Sequence, residues 1–270
     1  MAIQPVGSYF VRNGEVRKTA EFISHENDGG VYEVLRVIQG VPLFVEDHLE
    51  RFFMSANLAG IKIKYSENEI KQFLHVLISA NKIKNGNILI SCKENLKGFF
   101  IAHQYPESEM YETGVVCGLL NAERTNPNAK VFQTMVRKMA DEAMTKNGYY
   151  EVLLVDKEGR ITEGSRSNVF FVVDNKVKTP PGNDVLLGIT RNKAIPLAKK
   201  LGYPLEEEEI KISDLETFDA AFISGTSPKF LPIRKIEDAD FDPENKVVKQ
   251  LISTYNEMIA AYVKKQSGFL

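Results

Sequence analysis

Apolar and polar residues alternate at a period of two through 31–38 (VYEVLRVI), a stretch rich in β-formers, so the pattern predicts a strand there. The spacing then turns helical. Leu49, Phe52, Phe53 and Leu58 predict a helix over 47–59, with Asp47 as its cap and Gly60 at its end. Ile70, Phe73, Leu74 and Leu77 share one face of a second helix predicted over 67–81. Two short strands follow, near 87–92 and 98–102.

Residues 121–128 (NAERTNPN) have no hydrophobic period and are rich in turn formers, which predicts a linker. Beyond it, Val136, Met139, Ala140, Ala143 and Met144 form the stripe of a helix over 134–147, which Gly148 can end. Strands are predicted at 151–155 and 168–173. A helix over 189–201 ends at Gly202, and Pro196 is expected to kink or break it. A last helix over 244–264 carries a broad apolar face that includes Val247, Leu251, Tyr255, Ile259 and Val263. Strands mixed with helices in this order predict an α+β protein of two domains, a smaller one over 1–120 and a larger one over 129–270.

Composition narrows the function classes. Thirty-four Lys and Arg against 36 Asp and Glu give a net charge of -2, so no global field favours nucleic acid or an anionic membrane. Two cysteines, Cys92 and Cys117, cannot form a disulfide framework and lack zinc-site spacing, and no metal site is expected. The stretch Met1-Ala2-Ile3-Gln4-Pro5 does not read as a signal peptide, and no apolar run is long enough for a membrane span. A soluble cytoplasmic protein is the expectation.

Four places combine reactive residues with turn chemistry. Lys130 follows the linker among apolar neighbours Ala129, Val131 and Phe132, a setting that permits the neutral amine needed to condense with an aldehyde. A lone lysine is more commonly a solvated surface charge. Residues 161–168 (ITEGSRSN) lie between two strands, and Glu163 can present a carboxylate from a strand end, although the composition equally suits a polar hairpin loop. Leu187-Gly188-Ile189-Thr190-Arg191 is a glycine turn running into a helix start, suited to phosphate. Residues 222–228 (FISGTSP) form an apolar strand ending in hydroxyls, where Thr226 and Ser227 could bond an anion.

Taken in order, Glu-Gly-Ser-x-Ser-Asn-x-Phe at 163–170, Leu-x-Gly-Ile-Thr-Arg at 186–191 and Gly-Thr-Ser-Pro at 225–228 resemble the class IV (fold type IV) pyridoxal-phosphate enzymes. That family includes branched-chain aminotransferases, D-amino acid aminotransferases and aminodeoxychorismate lyases. The resemblance implies a two-domain, D-amino acid aminotransferase-like fold with pyridoxal 5′-phosphate as cofactor. Lys130 matches the lysine that condenses with the cofactor and later serves as general base. Glu151 and Glu163, twenty-one and thirty-three positions further on, fit that assignment. Glu163 matches the partner of the pyridine nitrogen, and Arg51, in His48-Leu49-Glu50-Arg51, the arginine that grips the phosphate through paired charged hydrogen bonds. Ile189, Thr190 and Thr226 match the phosphate cradle, and Tyr32 a residue facing the substrate.

The sequence departs from the family on the substrate side. Met135 stands five residues after the lysine, where branched-chain aminotransferases carry tyrosine. Lys93 and Glu94 stand where D-amino acid aminotransferases place a carboxylate-binding arginine. Arg166 is the candidate replacement, with a surface ion pair as the other reading, and Ser227 a further substrate-side residue. The resemblance implies an aminotransferase acting on a small amino acid and a 2-keto acid; a lyase forming 4-aminobenzoate and pyruvate and a non-catalytic cofactor binder are the alternatives. A homodimer with its site between domains is expected by analogy.

Overall fold

The computed structural model describes residues 3–132 and 134–267; Met1 and Ala2 of the N-terminal stretch lie outside the described residues. The chain forms two compact units. Unit 1 comprises Met1–Gln104, Ala129–Phe132 and Ile259–Leu270, and unit 2 comprises Tyr105–Asn128 and Gln133–Met258. This division departs from the expected boundaries at 120 and 129. The physical reason is strand pairing: the segment before the expected linker is a strand of unit 2, whereas residues around Lys130 add to the sheet of unit 1.

Unit 1 is built on β1 (Pro5–Arg12), β2 (Glu15–Lys18), β3 (Val31–Ile38), β4 (Val41–Pro42), β5 (Gly86–Cys92) and β6 (Leu96–Ile101). They form an antiparallel sheet in the order β2-β1-β6-β5-β3-β4. Helices α1 (Val45–Leu58) and α2 (Glu67–Asn81) cover one face. The alternation read in 31–38 sorts the two faces. Val31, Leu35 and Val37 join Leu49, Phe52, Leu74 and Leu77 in the helix-side core, whereas Tyr32 packs on the other face with Phe10, Leu89 and Phe99. β5 is buried along all seven residues, as a central strand covered on both sides must be.

Two helix starts show different chemistry. Ser66 caps α2 in a capping box with Glu69, each side chain answering the other residue's backbone N–H. α1 begins at Val45 rather than at the expected Asp47 cap. Phe44 turns the chain in the left-handed region with φ 51°, and Glu46 and Asp47 fall in the first turn, where the helix dipole favours them.

Unit 2 contains α3 (Met110–Thr113), β7 (Val115–Asn121), α4 (Thr134–Asn147), β8 (Glu151–Val155), β9 (Arg160–Gly164), β10 (Asn168–Val173) and β11 (Lys176–Thr179). It continues with α5 (Ile189–Lys200), β12 (Leu205–Glu207), β13 (Ile210–Lys211), β14 (Ala220–Gly225), β15 (Lys229–Ile236), β16 (Ala239–Asp240) and the first part of α6 (Lys246–Ser267). Its mixed sheet runs β12-β11-β10-β14-β15-β7-β8-β9-β13, with β16 beside β15. Phe171, Ile223, Leu231 and Ile233 lie in its core.

Three expectations change here. α5 runs through Pro196 without interruption. Proline removes one donor and leaves the carbonyl of the fourth preceding residue without its helical partner, a cost that buried Ala194, Leu197 and Ala198 help offset. The stripe predicted for α4 is only partly used: Ala140 is buried, but Met139 is exposed. α6 starts at Lys246, inside the expected start at 244, and runs to Ser267, past the expected end at 264.

Candidate active site

In unit 1 the chain around Lys130 is held as an extra edge to β3. β4 pairs only with Val37 and Ile38, which leaves the other end of that edge to residues 130–132. Tyr32 N donates to Lys130 O at 3.1 Å, Phe132 N donates to Gly30 O at 3.1 Å, and Val31 forms an antiparallel bridge with Val131. From α1, buried Ser55 accepts the Lys130 N–H at 3.1 Å. The Lys130 Nζ lies 4.9 Å from the centre of the Tyr32 ring, which stacks on Phe132 at 4.4 Å. Two aromatic rings thus shape the surroundings of this amine. Lys130 is half-buried, unlike the exposed lysine that is the commoner outcome.

His48, Arg51 and Ser55 are three and four residues apart on α1 and therefore share a face. That face meets Glu33, on the helix side of β3. Arg51 donates from Nε to Glu33 Oε1 and from Nη2 to Glu33 Oε2, both at 2.7 Å. His48 Nδ1 donates to Glu33 Oε2 at 2.8 Å. All three side chains are buried. Burial pushes the Glu33 carboxyl up, but Arg51 and His48 outweigh it and hold it at about 2. Burial lowers His48 below its ordinary 6.5 despite the Glu33 carboxylate, so the ring is neutral at pH 7. The Nε and Nη2 bonds of Arg51 therefore go to Glu33. The resemblance singled out Arg51; Glu33 escaped because a polar residue inside a strand ordinarily faces water, and His48 because it served only to mark the motif that carries Arg51.

In unit 2 Glu163 lies on β9, one residue before its end, with a buried side chain. Its Oε2 accepts from Leu186 N at 3.2 Å, and Arg124 Nε lies 2.8 Å from Oε1. The turn after β9 is organised by Glu151, at the start of β8. Oε1 accepts from Ser165 Oγ at 2.6 Å, Ser165 N at 3.2 Å and Val152 N at 2.9 Å. Oε2 accepts from Ser167 Oγ at 3.0 Å and Arg166 N at 3.1 Å. Five donors on one buried carboxylate explain why serines stand at 165 and 167. Sequence reasoning used Glu151 only as a spacing mark.

The start of α5 has Gly188 at its cap and no side-chain cap bond. Asn192 N is bonded to Gly188 O, so Ile189, Thr190 and Arg191 hold the first-turn N–H groups that an α-helix leaves without an internal partner. Asn168 Nδ2 donates to Leu186 O at 2.8 Å and fixes the approach to this turn. Arg191 turns inward to Glu207 at 2.7 Å and Pro180 O at 3.1 Å, so it braces the helix start. Thr226 and Ser227 are half-buried after β14, and Ser224 Oγ beneath them is buried without a hydrogen-bond partner. Arg166 pairs with Asp141 at 2.5 Å, both about half-exposed, which matches the surface-pair reading of that residue.

Each unit by itself carries groups that suit a phosphorylated pyridine aldehyde: unit 1 an amine among aromatic rings and a guanidinium, unit 2 a buried carboxylate, an uncapped helix start and an orphaned buried hydroxyl. Among the described residues no group of side chains could hold a metal ion, and no helix is long and apolar enough to cross a membrane.

Residues 30–236 match the family model of the class IV amino-transferases. Among curated relatives, a probable branched-chain-amino-acid aminotransferase of Rickettsia felis is 30% identical over 257 residues, covering 89% of this chain and 86% of the relative. A D-alanine aminotransferase of Bacillus licheniformis is 27% identical over 77% of this chain and 79% of its own. The solved branched-chain amino acid aminotransferase of Thermobaculum terrenum, in its pyridoxal-phosphate form, shares the fold with a TM-score of 0.81 at 22% identity, covering 96% of both chains. The ordered motifs, the fold and the family match agree: this chain belongs to the class IV aminotransferases, the fold type IV family.

Proposed function

We propose that the protein is a pyridoxal 5′-phosphate-dependent aminotransferase that moves an amino group between a small amino acid and a 2-keto acid. The observation that carries this reading is the Lys130 amine set over Tyr32 and tied by its backbone to β3 and α1, within a chain of the aminotransferase family. When bound, the cofactor supplies an electron-withdrawing ring that makes the substrate's α-proton acidic. Lys130 would hold the cofactor through its amine, and the same amine, when free, would take the proton from the substrate's α-carbon as general base. Arg51, Ile189, Thr190 and Thr226 bind the phosphate. Glu163 keeps the ring nitrogen protonated.

On the substrate side, Tyr32 and Ser227 orient the amino acid, and Arg166 receives its carboxylate in exchange for Asp141. What supports that last role is that Arg166 already holds a carboxylate in a pair open enough to be exchanged. The relatives named above act on branched-chain amino acids and on D-alanine, so the side chain and hand of the substrate are what an assay must decide. A homodimer in the cytoplasm completes the proposal, carried over from the family; light scattering after gel filtration tests the dimer.

The test is direct. Borohydride treatment of the yellow protein should fix the cofactor on Lys130, read by peptide mass spectrometry, and a panel of L- and D-amino acids with 2-oxoglutarate or pyruvate should yield keto acids. A colourless protein or a label on another lysine would overturn the assignment. Pyruvate released from aminodeoxychorismate, without transamination, would replace the aminotransferase by the lyase.

A further inference from the structure

Arg124 lies in the stretch 121–128 that reads as a solvated linker, yet its side chain is only 9% exposed. Its Nε sits 2.8 Å from Glu163 Oε1, and its Nη2 donates to Ser165 O at 2.9 Å. The second contact ties the guanidinium to the same turn that Glu151 organises, so its position is set from two sides. Leu186 N approaches the other oxygen of Glu163. A carboxylate taken out of water favours its neutral form unless a cation or donors compensate. Arg124 is a cation placed to do so here.

We infer that Arg124 is a positioning residue for the cofactor: it keeps Glu163 ionised and aimed, so that Glu163 can hold the proton on a pyridine nitrogen. The inference rests on the reading that Glu163 is the partner of that nitrogen. A neutral Glu163 could only donate a hydrogen bond to an unprotonated nitrogen, and the ring would lose its positive charge. Arginine suits the role because it stays protonated at any working pH. Five of its N–H groups lie in a fixed plane, which lets one side chain serve both the carboxylate and the turn carbonyl.

A double-mutant cycle on the full-length protein tests this. Apoprotein of wild type, Arg124→Gln, Arg124→Lys, Glu163→Gln and the double variant is titrated with pyridoxal 5′-phosphate. The bound cofactor, labelled with ¹⁵N in the ring, is examined by NMR for protonation of the nitrogen. Arg124→Gln should weaken binding by about tenfold or more, as losing one partner of a buried ion pair does, and shift the nitrogen signal toward the unprotonated form. Arg124→Lys, which keeps the charge, should recover much of both. In the Glu163→Gln background, removing Arg124 should change neither.

An equal loss of affinity in that background would mean that Arg124 only braces the turn, and the inference falls. It falls as well if Arg124→Gln binds the cofactor with an unchanged nitrogen signal. Should Glu163→Gln itself match wild type in both measurements, the underlying assignment of Glu163 fails, and the role of Arg124 goes with it.

Discussion

The Arg51 guanidinium and the Glu33 carboxylate meet edge to edge, with two hydrogen bonds of 2.7 Å in a place almost closed to water. The pair joins the first helix to the third strand of unit 1, on the sheet face opposite Tyr32.

Removing one partner of such a pair strands the other. Glu33→Ala should lower unfolding stability by about 3–5 kcal/mol, because a buried guanidinium is left uncompensated. Urea denaturation measures this. The same variant should bind inorganic phosphate and pyridoxal 5′-phosphate more weakly, since Arg51 loses the partner that orients it.

The pair also gives stability a pH dependence of defined sign. Burial pushes the Glu33 carboxyl up, Arg51 and His48 bring it down, and the folded value is about 2 against an ordinary 4.5. Its contribution is therefore complete above 4.5 and is lost as pH falls toward 2. His48, lowered by burial from 6.5, works in the same direction, because unfolding releases a ring that takes up a proton. Urea midpoints measured from pH 7 to pH 3 should decline steadily. Glu33→Gln should flatten the decline below pH 4.5 relative to wild type.

Glu151 makes a separate prediction about the turn that carries Ser165, Arg166 and Ser167. Glu151→Ala leaves the two buried serine hydroxyls and the backbone N–H groups of Ser165 and Arg166 without their acceptor. Each buried unsatisfied group costs about 1–3 kcal/mol, so thermal unfolding should show one of the largest losses of any single surface-distant substitution in unit 2. Ser165→Ala, which removes only one donor, should cost about 1 kcal/mol.

Gly188 tests the helix start. A Cβ built there would lie 2.1 Å from Asn168 Oδ1, whose amide group also holds Leu186 O. Gly188→Ala should therefore destabilise by about 1–3 kcal/mol through overpacking and should weaken phosphate binding by displacing the first turn. Isothermal titration with phosphate, beside a denaturation curve, separates the two effects.

The exchange proposed at Arg166 is checked by kinetics. Asp141→Asn frees the guanidinium and should lower KM for the amino acid with kcat little changed, whereas Arg166→Ala should raise KM about tenfold or more. Equal constants for both variants would return Arg166 to the role of a surface ion pair.

Local periodicity determined much of this protein. The alternation through 31–38 determined a strand, and the spacing of apolar residues determined most of the long helices. Arg51, Lys130, Glu163 and the glycine turn before Ile189 were picked out through the resemblance, whose motifs depend on short-range order along the chain. Tertiary structure alone decided the rest. The edge strand β2 and its neighbour β1 carry weak patterns and owe their form to pairing, β2 with β1 and β1 with β6. The polar stretch 121–128 looked like a linker, yet its first residue closes a central strand and Arg124 is buried against Glu163. Lys130, expected in the larger domain, belongs to the sheet of the other unit through two backbone hydrogen bonds. A charged residue carries no local sign of whether it will face water or a partner. That depends on which distant residue the fold brings within 3 Å, as it brings Glu33 to Arg51.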